Sequence, residues 1–372
     1  MRNKLDLLDV KIIEGLAKYG PRNVAKAARK LNISRGTMLS RIKRMSSLFY
    51  LRLFTNIYHT NLGLKKAVVF AKATPGYEEL LFNCLKVNKF YIYLTRCYGT
   101  FEGCLGIYVI PKDCTIKFEQ FIEEIKNLGV TNGIQVFWST CFHTVNRTSN
   151  WFDRISEAWI FPGDRWIEEI LAEETKLPYT LLDPKDFPIK ADEIDLFIMK
   201  ELEKDATINL TVIAKKLGTT LQNVHYHYKW HVIKHGLVED FQIGILPFDR
   251  TISDMFFFAF KFDSGDKMAK FARSLLDKPF VFIVGKVLGE NAIVAQLYLP
   301  RPEFRNLVDN LSKLVKTGFL QTYFYVIQDL RPGKWSRETI PYEFFKDGSW
   351  IYGHNKHMKD LHNLINQIEC AS

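Results

Sequence analysis

The chain has 372 residues, of which 47% are hydrophobic and 25% charged, a composition typical of globular proteins that have roughly two to four domains at this length. No apolar run approaches the roughly 20 residues that span a bilayer, and the charged amino terminus lacks the apolar segment of a signal peptide. The six cysteines form no CxxC pair, so we expect reduced thiols in a cytoplasmic protein without a membrane segment.

The net charge of +10 is concentrated at the amino terminus. Residues 1–66 contain 15 Lys and Arg against three acids, a net of +12, whereas the rest of the chain has 36 basic and 38 acidic residues, a net of −2. Residues 15–77 contain no carboxylate side chain. A basic block on a nearly neutral body predicts contact with a polyanion.

The first elements that the sequence predicts are three short helices. Apolar residues recur at three- and four-residue spacing in each of them: Ile12, Ile13 and Leu16; Val24, Ala28 and Leu31; Met38, Ile42 and Met45. The connection before the third helix is short and ends in Ser34, a good N-cap. A β-rich, alternating segment follows. This arrangement predicts a winged helix-turn-helix over residues 1–62.

The third helix carries the strongest functional signal. Its outward face combines basic and small hydroxyl side chains, which suit base edges and phosphates. The alternative is an ordinary solvated helix face, because surface helices commonly carry Lys and Arg. We expect double-stranded DNA as the partner, with base reading by Arg41 and Arg44. The full set of predicted DNA contacts is Arg22, Lys26, Ser34, Arg35, Thr37, Ser40, Arg41, Lys43 and Arg44.

The hydrophobic period changes to two over residues 63–146, where four strands and two amphipathic helices follow in the order β-α-β-β-α-β. That order predicts a ferredoxin-like domain, with a four-stranded antiparallel sheet backed by two helices. A connector with one helix, residues 147–190, comes next.

The run from Leu7 repeats at Glu193 without a gap at an offset of 186, so that Asp9 falls on Asp195, Leu31 on Leu217 and Lys43 on Lys229, and later segments match at an offset of 189. We therefore predict a tandem duplication. The second winged helix-turn-helix covers 191–248 and the second ferredoxin-like domain covers 249–331. A C-terminal extension, 332–372, ends in a helix. The predicted fold class is α+β, with two copies of a winged helix followed by a ferredoxin-like domain.

The third helix of the second copy carries different side chains, with His227 in place of Arg41 and Trp230 in place of Arg44. Two interpretations remain open: this helix reads different bases, or it has lost its contact with DNA. On the first interpretation the DNA contacts are Thr220, Gln222, Asn223, His225, Tyr226, His227 and Lys229.

Four histidines near this helix raise the question of a metal: His225, His227, His231 and His235. We predict no metal site, because the helix is expected to end near His231 and no cysteine or paired carboxylate joins the histidines. No Walker loop or catalytic triad is present either, so we expect neither a cofactor nor an enzyme activity.

The run from Leu7 to Met45 resembles the DNA-binding half of the leucine-responsive regulatory protein / asparagine regulator (Lrp/AsnC) family. That family opens helix one with an Asp and has the pattern S-x-x-T-V-x-x-R-I-x-x-L at helix three. Ser34, Thr37, Met38, Arg41, Ile42 and Met45 fill these positions. The resemblance implies a sequence-specific transcription regulator with a ferredoxin-like second domain. Family members normally carry one copy per chain, so two copies imply an intramolecular pseudo-dimer.

The resemblance also implies a small-molecule effector, such as an amino acid, near the turn between sheet strands two and three. The matching residues are Gly99, Thr100, Glu102, Gly289 and Glu290. A glycine at a hairpin is also simply turn chemistry. Homodimers or higher oligomers formed through the sheets are a further expectation from the family.

Two other functions stay open. One is an architectural protein that binds DNA without reading bases. The other is an enzyme, because Lrp-like paired chains also decarboxylate sirohaem. For that reaction the loose candidates are Arg96, His143, Arg147 and Lys286, which form no tight motif.

Overall fold

A computed structural model describes residues 4–369, so Cys370 lies outside the described residues. The chain begins with α1 (Leu7–Tyr19), α2 (Val24–Lys30), α3 (Arg35–Leu48) and β1 (Arg52–Ile57). A sheet region follows with β2 (Leu64–Ala73), α4 (Glu78–Val87), β3 (Tyr91–Gly99), β4 (Gly103–Pro111), α5 (Thr115–Asn127), β5 (Thr131–Ser139) and β6 (His143–Thr144). The connecting region carries β7 (Phe152–Asp153), β8 (Ala158–Trp159) and α6 (Arg165–Ala172).

The second half runs in the same order. It begins with α7 (Glu193–Lys204), α8 (Leu210–Leu217), α9 (Leu221–Tyr226) and β9 (Val238–Gly244). The sheet elements are β10 (Ser253–Lys261), α10 (Gly265–Leu275), β11 (Val281–Lys286), β12 (Ala292–Pro300), α11 (Arg301–Lys316) and β13 (Thr322–Gln328). The tail adds β14 (Trp335–Arg337), β15 (Phe345–Lys346), β16 (Ser349–Trp350) and α12 (His354–Glu369).

The two helix-turn-helix units are built by the same local devices. A capping box opens α1 at Asp6 and Asp9, and another opens α7 at Asp192 and Asp195. The turn before each third helix needs a residue in the left-handed region, which Asn32 supplies at φ +53° and Gly218 at φ +66°. These two residues are 186 positions apart, so the turns correspond in sequence as well as in shape.

The strand that follows each helix-turn-helix does not form a hairpin within its own unit. Instead, β1 and β9 pair with each other in an antiparallel two-stranded sheet, with Thr55 opposite Phe241. The reason is that both strands leave their units side by side, and an unpaired strand edge is satisfied best by the nearest partner. This shared sheet ties the two helix-turn-helix units together.

The remaining long strands form one sheet from both halves. The first half contributes the order β5-β2-β4-β3 and the second contributes β13-β10-β12-β11, joined where β3 pairs with β13. A bridge between Ser139 and Val287, and a 2.7 Å bond from the Leu288 amide to the Trp138 carbonyl, connect the far ends. The sheet therefore closes on itself around an apolar interior that includes Phe70 and Phe257.

Each half supplies part of the other half's outer layer. The Trp166 indole of α6 donates to the Ser274 hydroxyl of α10 at 3.0 Å, and the side chain is fully buried in the core of the second half. In return, Leu361 of α12 is buried in the core of the first half, between α4 and α5. The connector and the tail thus cross over and cover the opposite helix layer.

The described residues include no helix that is long and apolar enough to cross a membrane. Five cysteines lie in residues 4–369, and all five are free thiols.

Candidate nucleic-acid interface

The outward face of α3 lies opposite the two methionines that anchor the helix. Met38 and Met45 are fully buried, whereas Ser40 and Lys43 are exposed. Residues three and four apart share one face of an α-helix, so this distribution defines an inner and an outer side. The outer side carries Ser40 and Lys43, two of the residues predicted to contact DNA.

The amino-terminal end of α3 adds three further predicted residues to this surface. The Ser34 hydroxyl accepts a 2.9 Å hydrogen bond from the Thr37 amide, so Ser34 is the N-cap, and both side chains are exposed. Arg35 is exposed as well. Neither Arg35 nor Lys43 has an ion-pair partner among residues 4–369. Lys26, on the exposed side of α2, lies over the Tyr19 ring at 5.6 Å.

The two arginines predicted to read bases have other contacts. The Arg41 guanidinium donates to Asp6 at 2.5 Å and to Asp9 at 3.1 Å, and Arg44 also forms an ion pair with Asp9. The Asp9 side chain is fully buried and the arginines are 28% and 24% exposed. The structure therefore places these guanidinium groups against the start of α1, at the edge of the outward face.

The charges in this cluster influence each other. The hydrogen bond to Asp6 raises the pKa of Arg41. Burial of the Asp6 carboxylate acts to raise its pKa, but hydrogen bonds from Arg41 and from the Asp9 amide, with the positive charge of Arg41, outweigh this effect. The pKa of Asp6 therefore lies below its ordinary value. Both groups stay charged at neutral pH, so the contact is an ion pair.

Arg22, another predicted phosphate contact, joins the two halves instead. Its guanidinium donates to the Ile208 carbonyl at 2.5 Å and lies over the Tyr228 ring at 5.1 Å. It lines a cleft of about 790 Å³ between the two helix-turn-helix units, together with Arg35, Leu39, Lys204, Asp205 and Thr207.

The third helix of the C-terminal helix-turn-helix unit begins as α9 and continues as a π-helix over His227–Ile233. The sequence predicts an end near His231, and the π-helical segment extends to Ile233, two residues further. Six of the seven predicted contacts are not buried: Thr220, Gln222, Asn223, His225, Tyr226 and Lys229. Thr220 is the N-cap and accepts from the Asn223 amide at 3.2 Å.

His227 is the exception, because its side chain is buried against α7. Its Nδ1 lies 2.9 Å from Asp195 Oδ1, and the Nδ1 of His231 lies 3.1 Å from Asp195 Oδ2. The Asp192 carboxylate lies 3.5 Å from His227 Nδ1 and 4.0 Å from His231 Nδ1. The expectation that no paired carboxylate joins the histidines is therefore wrong.

The position of His231 follows from the π-helix. At the sequence offset of 186, Trp230 corresponds to Arg44, but His231 makes the contact to Asp195 that Arg44 makes to Asp9. A π-helical turn holds one residue more than an α-helical turn. The extra residue moves Trp230 outward, where it is 40% exposed, and turns His231 inward.

The turns predicted to bind an effector lie in different surroundings. Gly99, at φ +121°, is paired with Val326 of β13, and the Thr100 amide donates to the Tyr325 carbonyl at 3.3 Å. Glu102 forms a 3.5 Å ion pair with Arg96. This turn therefore lies at the join between the two halves of the sheet. Gly289 and Glu290 lie in the exposed turn between β11 and β12.

Of the four residues considered for sirohaem chemistry, His143 and Lys286 lie on the paired strands β6 and β11 and contact the same segment, residues 180–183. Arg96 lies on β3, which the strands β13, β10 and β12 separate from β11 and β6. His143 Nδ1 lies 2.9 Å from the Thr180 hydroxyl, and Lys286 Nζ lies 2.7 Å from Asp183. Arg147 is 1% exposed and stacks over the Phe282 ring at 4.3 Å. Burial lowers the pKa of Arg147 to about 9.

Comparison with known proteins identifies the family. The winged helix-turn-helix DNA-binding family matches residues 192–230, which cover α7, α8, α9 and part of the π-helix. An uncharacterized HTH-type transcriptional regulator of Pyrococcus furiosus is 30% identical over 101 residues, which cover 27% of this chain and 67% of that protein. The chain belongs to the HTH-type transcriptional regulators. The prediction of a winged helix-turn-helix is thereby confirmed, whereas the domain boundaries stay predictions.

A search of solved structures finds two kinds of protein that resemble this HTH-type regulator. The siroheme decarboxylase NirDL is 11% identical and superposes with a TM-score of 0.54, covering 97% of this chain and 99% of that one. The two proteins therefore share a fold along their whole lengths. An AsnC family transcriptional regulator from Agrobacterium tumefaciens is 16% identical and covers 36% of this chain and 89% of its own, with a TM-score of 0.29.

Proposed function

We propose that the protein is a sequence-specific transcription regulator of the Lrp/AsnC type that binds duplex DNA through both winged helices of one chain. The observation that supports this most is the exposed outer face of α3, where Arg35 and Lys43 have no ion-pair partner among residues 4–369. Exposed arginine and lysine side chains without an ion-pair partner can contact phosphates and the edges of guanine bases.

The repeated order of elements supports a tandem duplication and an intramolecular pseudo-dimer. Because β1 pairs with β9, the two recognition helices belong to one connected unit. We propose that the operator consists of two unlike half-sites, since Asn223 and Tyr226 of α9 stand at the positions of the hydroxyl residues Thr37 and Ser40 of α3. Half-sites about one helical turn apart, or a multiple of that, are the spacing typical of paired helix-turn-helix units.

Two finer proposals follow from the family. A small effector, such as an amino acid, binds at the turns around Gly99 and Gly289. Homodimers or higher oligomers of the whole chain form through the sheet region in the cytoplasm. Isothermal titration with the common amino acids and light scattering with and without them test both proposals together.

Selection from random duplex DNA, followed by binding measured against salt, tests the main proposal. A two-part motif is expected, with an affinity that falls steeply as salt rises. The slope to compare is that of the logarithm of the affinity against the logarithm of the salt concentration. Lys43→Ala and Arg35→Ala should each lower the magnitude of this slope by about one. Lys72→Ala, an exposed lysine on β2, is the matched control and should leave the slope unchanged.

Two outcomes would contradict the proposal. Steep salt dependence without a selected motif would indicate an architectural protein that binds the DNA backbone only. An affinity that does not change between low and high salt would exclude binding through phosphates altogether.

A second candidate is a siroheme-decarboxylase-like enzyme. Its support is the buried guanidinium of Arg147, which has no hydrogen-bond partner among the described residues and is the kind of group that binds a tetrapyrrole carboxylate. Titration of the protein with an iron tetrapyrrole tests this candidate. A saturable shift of the Soret band that Arg147→Leu abolishes would support it, and a spectrum equal to that of the free tetrapyrrole would exclude it.

A further inference from the structure

Four metal-ligating side chains meet at one point of the C-terminal winged helix. Asp192 and Asp195 belong to the capping box at the start of α7, and His227 and His231 project from the π-helical segment. One donor atom from each lies within 4.8 Å of the other three. No second group of three or more such ligands occurs among residues 4–369.

The separations between the donor atoms suit a metal ion with tetrahedral coordination. Zinc binds imidazole nitrogen and carboxylate oxygen at about 2.0–2.2 Å, which places tetrahedral ligands roughly 3.3–3.6 Å apart. His227 Nδ1 and His231 Nδ1 lie 2.9 and 3.1 Å from the two different oxygens of Asp195 and 3.5 and 4.0 Å from Asp192 Oδ2, a range that includes that value. Two imidazoles favour zinc and its neighbours over Mg²⁺ and Ca²⁺, which prefer oxygen ligands.

The N-terminal winged helix offers an internal comparison. Its capping box, Asp6 and Asp9, holds two guanidinium groups, so the buried Asp9 carboxylate is neutralised by cations of the chain itself. In the C-terminal unit the side chain of Asp195 is 1% exposed. Among the described residues, no Lys or Arg pairs with it or with Asp192. A buried carboxylate needs a compensating positive charge.

We propose that Asp192, Asp195, His227 and His231 bind one divalent transition-metal ion, with Zn²⁺ as the representative. The ion takes the place that the guanidinium groups of Arg41 and Arg44 occupy in the N-terminal unit. It joins α7 to the π-helical part of the recognition helix. π-helical segments are frequent at functional sites, and here the segment turns both imidazoles to the carboxylates.

Titration of the full chain with Zn²⁺, after chelator treatment and dialysis, tests the site. One equivalent of zinc per chain is expected in calorimetry and in metal analysis after gel filtration. His227→Gln and His231→Gln should each weaken binding by at least about tenfold. His225→Gln is the matched control, because this histidine is exposed on the same helix and lies outside the cluster.

The proposal is overturned if the folded wild-type chain retains no zinc, or if both substitutions leave the bound equivalent unchanged. Where a variant does not fold, the wild-type chain loaded with Co²⁺ in place of Zn²⁺ tests the same set of ligands. The site predicts tetrahedral cobalt bands without sulfur-to-cobalt charge transfer, since the ligand set holds no cysteine. No DNA is present in these measurements, so their result is independent of the proposed regulatory function.

Discussion

Basic residues on the same helix, α3, differ in what their side chains contact. Arg41 neutralises the buried Asp9, whereas Lys43 points to solvent. We expect Arg41→Ala to lower the free energy of unfolding by about 1–3 kcal/mol, because a buried carboxylate loses a charged hydrogen-bond donor. Lys43→Ala should change it by less than about 0.5 kcal/mol. Thermal or urea unfolding without DNA measures both.

Equal stability of the two variants would contradict the stabilising role of Arg41 beside Asp9. Arg41 would then be free to contact DNA. A loss of stability for Arg41→Ala accompanied by a loss of DNA affinity does not identify a base contact. Lys43→Ala and Arg35→Ala, in contrast, report on the surface without disturbing the fold.

His59 predicts a specific sensitivity to acid. The side chain is 3% exposed, and burial, assisted by the charge of Lys66, holds its pKa well below 6.5. Below pH 6.5 the unfolded chain binds a proton at this residue and the folded chain does not, so the stability falls as the pH decreases. The expected loss between pH 7 and pH 5.5 is about 1 kcal/mol.

His59→Leu should remove that part of the pH dependence, whatever its effect on stability at pH 7. Urea midpoints of both proteins at pH 7 and pH 5.5 give the comparison. If the wild type and His59→Leu lose the same amount of stability between pH 7 and pH 5.5, other groups account for the acid sensitivity.

Some of the side-chain arrangement could be predicted from the sequence. The sequence predicts the N-caps Ser34 and Thr220, because an N-cap depends on local geometry alone. The inward position of Arg41 is also visible in retrospect, since it follows Met38 by three residues and precedes Met45 by four. The inward position of His231 could not be predicted, because nothing in the sequence marks the π-helix that turns it.

At the scale of the element, Ser34 has two functions that substitution can separate. As the N-cap of α3 it accepts the Thr37 amide, and as an exposed hydroxyl it lies on the surface proposed to bind DNA. Ser34→Ala should lower the free energy of unfolding by about 1 kcal/mol through loss of the cap.

Ser34→Asp is the matched variant, because aspartate also caps helices and favours the positive end of the helix dipole. It should keep the wild-type stability and weaken DNA binding, since a carboxylate repels phosphates. Melting curves and binding curves of both variants give the answer. Unchanged DNA affinity of Ser34→Asp would place this end of the helix away from the DNA.

The order of helices and strands could be read from hydrophobic spacing, because periods of 3.6 and 2 distinguish the two kinds of element. The sequence does not predict which strands become neighbours in a sheet. The alternation in β1 and β9 fits a local hairpin as well as it fits the observed pairing between halves. Likewise, α6 and α12 are recognisable as amphipathic helices, but their apolar faces do not show which core they cover.

At the scale of the whole molecule, the two halves depend on each other. A chain truncated after Lys190 loses the partner strands of β1 and β3, and the α12 helix that covers α4 and α5. Exposed strand edges and apolar faces favour self-association. We expect this half-chain to form a homodimer in which a second copy supplies the missing pairings, as size-exclusion chromatography with light scattering would show.

Co-expression of residues 1–190 with residues 191–372 provides the control. The two pieces should purify together as a heterodimer of the size of the intact chain. A half-chain that remains a folded, soluble monomer would show that the pairing of β3 with β13 and of β1 with β9 adds little to stability.

The crossing of the connector and the tail also affects how the chain folds as it is synthesised. The α12 helix, His354–Glu369, is synthesised long after α4 and α5, yet it covers the core that these two helices help to form. The apolar surface of α4 and α5 therefore stays uncovered until α12 has been synthesised. At about 5–20 residues per second, the roughly 230 residues between α5 and α12 correspond to tens of seconds at the slower rate. During that interval the first half exposes apolar surface of the kind that chaperones bind and that favours aggregation.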